Sequence, residues 1–321
     1  MPGNLERVIT SKANTARRRI AILIAAAIAF FTLIKLHNSL PPITVDTVHQ
    51  SLPVIPLPSF TVTYPTKPFN ETKVAFLVEN RPLPMLAPLI LHFMGVIPPD
   101  WRFRFMGSPA SVESVRSSRA IQHQVESGKL DLTHIPRNMT TGGQEQISTF
   151  LTNLWLYETV LQPAEWLLVF QTDSILCANS EGNLDDWLDY DWVGAPWSSG
   201  SRYGGNGGLS LRRVSSIIQI LRDQIRLPNS DPEDVWLTSR LGHRPGAKVA
   251  NGSLSLTFSG ENIYYEKPMG YHTGGSGRNL GSGLWGTPEL RQHIYDYCPE
   301  VKLTLEMDAK QYVPGECNQN W

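Results

Sequence analysis

The sequence predicts one large α/β domain with a mixed, mostly parallel sheet flanked by helices. Short, continuous apolar runs typical of buried strands alternate with amphipathic helical segments through the first half of the folded part. About 250 residues remain after an apolar N-terminal run and a proline-rich stretch, enough for one sizeable core. The net charge of −1 leaves no basic stripe on the folded part, so we expect no nucleic-acid partner.

An apolar segment near the N-terminus predicts a single transmembrane helix. Residues 20–35 read IAILIAAAIAFFTLIK and follow Arg17–Arg19. The basic residues before this run predict that residues 1–19 are cytoplasmic and that the rest of the chain is lumenal. The run is short for a membrane span, and a cleaved signal peptide is the alternative, although no small-residue cleavage site follows it. We favour a type II signal-anchor in the Golgi or ER membrane.

Residues 36–72 predict an extended stem, because seven prolines are spread along them. The lumenal domain is predicted to comprise residues 73–321. Three N-glycosylation sequons agree with a lumenal location, and their acceptor residues are Asn70, Asn138 and Asn251.

The three cysteines are too few for a scaffold built on disulfides. In an oxidising lumen, Cys298 and Cys317 are candidates for a disulfide that ties down the C-terminal tail. Cys177 is predicted to be a buried free thiol.

The elements of the folded part follow from apolar periodicity. Continuous apolar runs predict strands at 73–78, 102–106, 130–135, 165–170, 191–195 and 208–211. Helical spacing of apolar residues, together with capping residues, predicts helices at 111–127, 147–161, 214–225 and 232–241.

Four stretches carry candidate chemistry. Asp173 follows the strand at 165–170, and a carboxylate at the carboxyl end of such a strand either binds a divalent cation or caps the next turn. The glycine-rich stretch Gly204–Gly208 allows close approach of the backbone to a ligand, or is an ordinary loop. Its spacing fits neither a Walker nor a dinucleotide motif.

The other two stretches are PEDVW and GYH. Glu233 and Asp234 are acidic residues at a helix start, which suits either the helix dipole or a general base. His272 is either a metal ligand or a polar surface residue, and the glycine-rich segment after it, with Arg278, is predicted to be a mobile lid that meets phosphate.

The order of motifs resembles a known family. VENRPLP (78–84), QTDS (171–174), DWVGAPW (191–197), GNGGLSLRR (205–213), PEDVW (232–236) and GYH (270–272) resemble uncharacterised fungal and bacterial domains, which are similar to nucleotide-sugar glycosyltransferases of the GT-A fold. A more distant similarity is to Fringe-like and core galactosyltransferases. The resemblance covers about residues 73–290, and six weak motifs in one order make it fairly specific.

The resemblance implies a GT-A-like domain and roles for particular residues. Asp173 and His272 would bind a divalent metal, Mn²⁺ or Mg²⁺. Asp234 would be the catalytic base, with Glu233 beside it. The nucleotide-sugar donor, with a UDP-sugar favoured, would contact Glu79, Arg81, Asn206, Gly207, Gly208 and Arg278.

One departure concerns the metal motif. Related enzymes have two carboxylates in a D-x-D sequence, whereas this chain has Asp173 alone between Gln171 and Ser174. The sequence leaves the acceptor unidentified, and the implied reaction is transfer of the sugar to an acceptor hydroxyl with inversion. The alternatives are a non-catalytic lumenal carbohydrate-binding or scaffold module, which the lone Asp173 favours, and a glycoside hydrolase that pairs Asp173 with Asp234.

Overall fold

The computed structural model describes residues 3–39, 68–278 and 280–305. The chain divides into two units, Met1–Thr63 and Tyr64–Trp321. Most of the predicted stem, and Cys317, lie outside the described residues.

The first unit contains one long helix, α1, over Gly3–Ser39. Its part Arg18–Ser39 is 22 residues long, apolar and exposed, so its length and composition suffice to cross a membrane. Signal sequences share this composition and this position near the N-terminus.

The second unit is built on a six-stranded sheet with the order β3-β2-β1-β4-β7-β6. Its strands are β1 Asn70–Glu79, β2 Trp101–Gly107, β3 Leu130–His134, β4 Trp166–Phe170, β6 Trp192–Ala195 and β7 Asn206–Arg213. β1 is parallel to β2 and β4, and β2 is parallel to β3. Only β7 runs against its neighbours, β4 and β6. The predicted mixed, mostly parallel sheet is therefore confirmed.

A second, three-stranded sheet was not predicted. It has the order β5-β9-β8, and its strands are β5 Ser174–Leu176, β8 Ser259–Gly260 and β9 Gly270–His272. β5 begins directly after the turn that contains Asp173, and β9 ends at His272. This small sheet therefore brings two predicted site residues, distant in sequence, to one place.

Helices cover both faces of the main sheet. They are α2 Leu86–Val96, α3 Pro109–Arg116, α4 Arg119–Glu126, α5 Gln144–Leu151, α6 Val214–Asp223, α7 Glu233–Gly242, α8 Gly252–Phe258, α9 Ser282–Trp285 and α10 Pro288–Tyr297. The predicted helix at 111–127 is two helices, because Ser118 has an extended backbone. The predicted helix at 147–161 is α5 followed by a π-helix over Leu156–Val160.

Two apolar cores fill the space between the sheet and its helices. Alternate residues of β1 enter different cores: Ala75 and Leu77 pack with α2 and the small sheet, whereas Phe76 packs with α5, α6 and α7. This burial on both faces explains why the strands are continuous apolar runs. It also means that α7 and the small sheet lie on opposite faces of the main sheet.

The disulfide differs from the prediction. Cys177, just after β5, is bonded to Cys298, at the end of α10, so it is not a free thiol. Cys298 is therefore not available to Cys317. The bond attaches the C-terminal helices to the small sheet, and sequence spacing alone does not identify such a long-range pair.

Candidate active site

The candidate site lies where β1 and β4 end and β7 begins. A cleft of about 280 Å³ at this edge is lined by Glu79 and Arg81 after β1, by Gly142 and Gly143 before α5, and by Gln171 and Asp173 after β4. Carboxyl ends of parallel strands are the usual place for ligands in α/β sheets. The structure thus brings Glu79 and Arg81, two of the residues predicted to contact the donor, to one cleft with Asp173, a predicted metal ligand. The other predicted donor contacts, Asn206, Gly207, Gly208 and Arg278, are not among the residues that line it.

Asp173 is held in a tight turn between β4 and β5. It is 7% exposed. Its backbone carbonyl accepts hydrogen bonds from the N–H of Thr273 at 2.7 Å and from the hydroxyl of Thr273 at 3.0 Å. The next residue, Ser174, donates its hydroxyl to the carbonyl of Gly208 at 2.6 Å. The turn is therefore attached both to the residue after His272 and to the beginning of β7.

His272 lies between two carboxylates. Its Nε2 atom is 3.3 Å from Oδ1 of Asp173, and its Nδ1 atom is 3.2 Å from Oε1 of Glu261. Among the described residues, neither ring nitrogen has a well-aligned hydrogen-bond partner, although each is buried. Burial lowers the pKa of His272, but Asp173 and Glu261 outweigh it and raise the pKa to about 10. The two neighbouring carboxyl groups thus favour the protonated imidazole of His272.

This arrangement fits a metal site with two protein ligands. A metal-binding histidine commonly directs its second ring nitrogen toward a carboxylate, which fixes the ring. Glu261 holds that position, so Nε2 of His272 faces Asp173. In the described part of the chain, no three acidic, histidine or cysteine side chains converge as a ready metal site. The remaining ligands would have to come from the donor diphosphate or water.

The glycine at 208 is required by the position of His272. A Cβ atom there would overlap Nε2 of His272 and lie 2.7 Å from Oε1 of Gln171. Any larger residue would therefore displace the imidazole. Asn206 contacts the same group, because its amide donates to Oε1 of Glu261 at 3.4 Å.

Asp234, in the first turn of α7, contacts the beginning of β7. Its Oδ2 atom accepts the N–H of Gly207 at 3.0 Å, and its Oδ1 atom accepts the N–H of Val235 at 2.8 Å. The first residues of β7 leave regular pairing with β6, which frees the Gly207 N–H for this bond. Because α7 and the small sheet cover opposite faces, Asp234 and His272 flank the beginning of β7 from opposite faces.

Glu233 has a different environment from Asp234. It is 6% exposed and lies 2.8 Å from the guanidinium of Arg212, which is fully buried. Burial raises the pKa of Glu233 to about 7, and the positive charge of Arg212 opposes that rise. Arg212 also donates to the carbonyl of Gly207 at 3.0 Å and stacks on Trp192. The buried pair of Arg212 and Glu233 therefore holds the beginning of β7 in place through the Gly207 carbonyl.

Glu79 and Arg81 form an ion pair at the edge of the cleft. The guanidinium of Arg81 donates to both carboxylate oxygens of Glu79, at 3.0 and 2.8 Å. The Arg81 side chain is about half exposed, and Glu79 is nearly buried. Glu79 thus fixes the direction of Arg81, which is the more exposed residue of the pair.

The segment predicted to be a mobile lid contains short helices. After His272 the chain forms a short 3-10 helix over Gly275–Gly277, and the side chain of Arg278 is exposed. Leu284 and Trp285 in α9 are buried in the core, so the C-terminal part of the predicted lid is anchored. The sequon residues Asn70, Asn138 and Asn251 are all exposed.

The sequence analysis did not identify two residues of the candidate site, Glu261 and Arg212. Glu261 stands in a loop with no motif around it, and only the pairing of β8 with β9 brings it to His272. Arg212 belongs to the quoted GNGGLSLRR motif, and a charged residue inside an apolar strand is a signal that indicates a buried ion pair.

One family model matches part of the chain, over a range that contains much of the candidate site. Residues 129–272 match a family described as a protein of unknown function (DUF5672), and this range contains Asp173, Asp234 and His272. No curated protein matches the chain.

Several solved glycosyltransferases are similar in structure. The mannosyltransferase PcManGT from Pyrobaculum calidifontis, in complex with GDP-Man and Mn²⁺, is 12% identical over 56% of this chain and 55% of that chain, with a TM-score of 0.40. WbbM, a bifunctional glycosyltransferase in its apo form, is 9% identical over 74% and 52%, with a TM-score of 0.42. GlyE from Streptococcus pneumoniae is 15% identical over 47% and 37%, with a TM-score of 0.32. The chain spans about half of these proteins or less.

Proposed function

We propose that this protein is a glycosyltransferase that moves a sugar from a nucleoside-diphosphate sugar to an acceptor hydroxyl, with inversion at the anomeric carbon. One observation carries the proposal: Asp173 with His272, and Asp234, flank the first residues of β7 from opposite faces. An in-line displacement needs the leaving group and the attacking hydroxyl on opposite sides of the reacting carbon. A donor sugar placed beyond the start of β7, next to Gly207 and Gly208, would have Asp173 and His272 on one side and Asp234 on the other.

In this proposal, Asp234 takes the proton of the acceptor hydroxyl as it attacks. Two backbone N–H groups fix the carboxylate, and each oxygen keeps a lone pair for the acceptor. Glu233 is too buried and too closely paired with Arg212 to act in the same way. We assign it the task of positioning Asp234 and Gly207.

The donor would occupy the cleft between the ends of β1 and β4. Arg81, directed by Glu79, would contact the nucleotide, and Arg278 would meet the diphosphate from the following loop. Asn206 would face the sugar. A divalent metal, when bound by Asp173 and Nε2 of His272, would supply positive charge against the charge that develops on the diphosphate.

We further propose a type II orientation with the second unit in the lumen of the Golgi or ER. The Cys177–Cys298 bond supports an oxidising compartment. The exposed sequons and the basic residues before the apolar run of α1 point the same way. The lone Asp173 still favours one competing function, a lumenal carbohydrate-binding module without catalysis.

Thermal unfolding of the full-length protein in detergent tests the proposal. The protein is measured with UDP, GDP or CMP, each with Mn²⁺ or with chelator. A ligand at about 100 times its dissociation constant adds about 2.7 kcal/mol, which gives a shift of a few degrees. A shift with one nucleotide that chelator removes, and that Asp173→Ala abolishes, supports a metal-dependent transferase.

Other outcomes separate the alternatives. A nucleotide shift that survives chelator and Asp173→Ala would remove the metal from the proposal. No shift with any nucleotide would overturn the transferase and leave the carbohydrate-binding module. Sugar release from nucleotide sugars of the base that gives the shift, measured in parallel with the same protein, shows whether a bound nucleotide sugar reacts.

A further inference from the structure

The loop between β6 and β7 carries an aromatic residue that the proposed mechanism does not use. Trp197 is the last residue of the DWVGAPW motif and follows β6 directly. Its side chain is 42% exposed, so a large part of the indole is in solvent. The residues after it, Ser198–Gly200, are exposed as well.

One edge of the Trp197 indole lies against a glycine. Gly204 has a φ of +103°, and a Cβ atom on it would lie 2.5 Å from the Cζ3 atom of the indole. The ring therefore packs directly on the backbone at a position that only glycine occupies without strain. The exposed remainder of the indole is open to a ligand.

The loop is held in place without any ligand. The N–H of Gly252 donates to the carbonyl of Ser201 at 2.8 Å, and the hydroxyl of Ser253 donates to the carbonyl of Ser199 at 3.2 Å. At the other end of the loop, Tyr203 packs against the His243 ring, with centroids 5.4 Å apart. A ring that is positioned in advance loses little conformational entropy when it binds.

Chain connectivity limits the distance between the glycine beside this ring and the glycine that contacts the candidate base. Gly204 is three residues before Gly207, whose N–H donates to Asp234. Three residues of chain span at most about 10 Å. A mono- or disaccharide bridges such a separation.

We propose that Trp197 is the acceptor platform of the site and that the acceptor is a glycan or glycoside, whose sugar ring stacks on the open part of the indole. The inference rests on the proposed function. The electron-rich face of the indole attracts the C–H groups on the apolar face of a pyranose ring, and it offers a large contact area. A sugar held there presents a hydroxyl toward Asp234. A peptide or lipid hydroxyl would gain nothing comparable from an aromatic ring at this place.

The experiment uses full-length protein in detergent and the methyl glycosides of glucose, galactose, mannose and N-acetylglucosamine as probes. Glycoside binding is measured by saturation-transfer NMR, and nucleotide binding by thermal shift. Trp197→Ala is expected to weaken glycoside binding roughly tenfold, the ratio that about 1.4 kcal/mol produces. The glycoside affinity of Trp197→Phe should remain within about threefold of the wild-type value, because phenylalanine keeps an aromatic face. Neither variant should alter the nucleotide shift.

Trp155→Ala is the matched control, since Trp155 is 36% exposed and lies before the π-helix, away from this loop. Asn251→Gln is a second control, because a glycan on Asn251, which caps α8 next to Ser199 and Ser201, would itself cover Trp197. If Trp197→Ala binds glycosides as the wild type does, or Trp155→Ala is equally impaired, the platform is overturned. It is also overturned if Trp197→Ala has an effect only in glycosylated protein.

The two proposals fail in different ways. If the Tm of the wild-type protein rises with a nucleotide but the protein binds none of the glycosides, the acceptor is not a sugar bound at Trp197. The proposed transferase function is then unaffected. If the protein binds glycosides through Trp197 but its Tm does not change with any nucleotide, the transferase is contradicted. Sugar binding at Trp197 would then be the part of the inference that holds. Both outcomes are read from the same samples.

Discussion

His272 and Asp173 meet because Ser174, next to Asp173, pairs with His272 in the small sheet. The 3.3 Å between Nε2 and Oδ1 therefore depends on the register of β5 against β9. A slip of one residue would turn His272 to the opposite face of the sheet. The geometry of the candidate metal site is thus set by backbone pairing, and side chains that disturb this pairing should affect nucleotide binding without touching the ligand.

Gly208→Ala should damage the site without unfolding the protein. The new Cβ would overlap Nε2 of His272, so the imidazole must move away from Asp173. We expect the Mn²⁺-dependent thermal shift with nucleotide to fall by at least about half, and the metal-free Tm to fall by a few degrees, as about 1 kcal/mol would produce. Differential scanning fluorimetry with and without Mn²⁺ measures both.

The matched control is Gly95→Ala. Gly95 lies near the end of α2, and a Cβ there meets no atom within 4 Å. Alanine in a helix is favoured over glycine by about 0.5–1 kcal/mol, so this variant should be unchanged or slightly stabilised. An unaltered nucleotide shift in Gly208→Ala would show that His272 does not take part in binding.

Asp234→Asn should separate catalysis from binding. The amide oxygen still accepts the N–H of Gly207, whereas the bond from the Val235 N–H is lost because the NH2 group is a donor. The side chain no longer removes a proton. We expect sugar transfer to fall roughly 10²- to 10⁴-fold, with the nucleotide shift retained. The measurement is initial rate of transfer beside thermal shift for the same preparation.

Asp231→Asn is the control for the Asp234 variant. Asp231 is an exposed carboxylate shortly before α7, so its change alters the local charge and leaves the Gly207 contact intact. Its transfer rate should stay close to that of the wild type. Loss of both transfer and nucleotide binding in Asp234→Asn would return Asp234 to a purely structural role at the helix start.

The main sheet followed from the sequence because each strand is a local apolar run. Asp173 at the end of β4, and Asp234 in the first turn of α7, were placed correctly for the same reason. The residues around Asp173 were not predicted, because the small sheet consists of strands of only two or three residues. Runs this short carry no periodicity, so Glu261 could not be assigned to His272.

The disulfide shows the same limit. Three cysteines allow three possible pairs, and the sequence analysis took Cys298 and Cys317 as the candidates, because that bond would tie down the C-terminal tail. The observed partner, Cys177, is 121 residues from Cys298 and becomes its neighbour only after α10 packs on the small sheet. Tertiary packing, which sequence spacing does not encode, decides the pair.

Removal of the disulfide should lower stability substantially. Cys177→Ser with Cys298→Ser releases a loop of 121 residues, for which chain entropy predicts a loss of about 4–5 kcal/mol. Urea unfolding should show a lower midpoint at nearly unchanged nucleotide affinity in native protein. Peptide mapping under non-reducing conditions provides the control, and a Cys298–Cys317 peptide would contradict the structure.

Glu145 should make stability depend on pH in the acid range. Arg226 holds both of its carboxylate oxygens, at 3.0 and 2.6 Å, and the Asn229 N–H donates to Oε1 at 3.0 Å. These contacts lower the pKa of Glu145 to about 2, with the Arg226 hydrogen bonds as the largest cause. A carboxyl whose pKa is depressed on folding binds its proton more weakly in the native state than in the unfolded chain. The ionised carboxylate therefore makes its full contribution to the free energy of unfolding when the pH is above the ordinary pKa of 4.5. That contribution is lost as the pH falls toward 2.

The measurement is the Tm difference between wild-type protein and Glu145→Gln from pH 2 to pH 7. Glutamine keeps the shape but cannot pair with the buried charge of Arg226, so the variant should be clearly less stable at pH 7. The difference should shrink below pH 4.5 and be smallest near pH 2, where about half of the wild-type carboxyls are protonated. Glu126→Gln, at an exposed position, shows what a surface carboxylate contributes under the same conditions. A Tm difference that does not change with pH would mean that the variant disturbs packing between α5 and the loop before α7, and that charge on Glu145 is not what stabilises it.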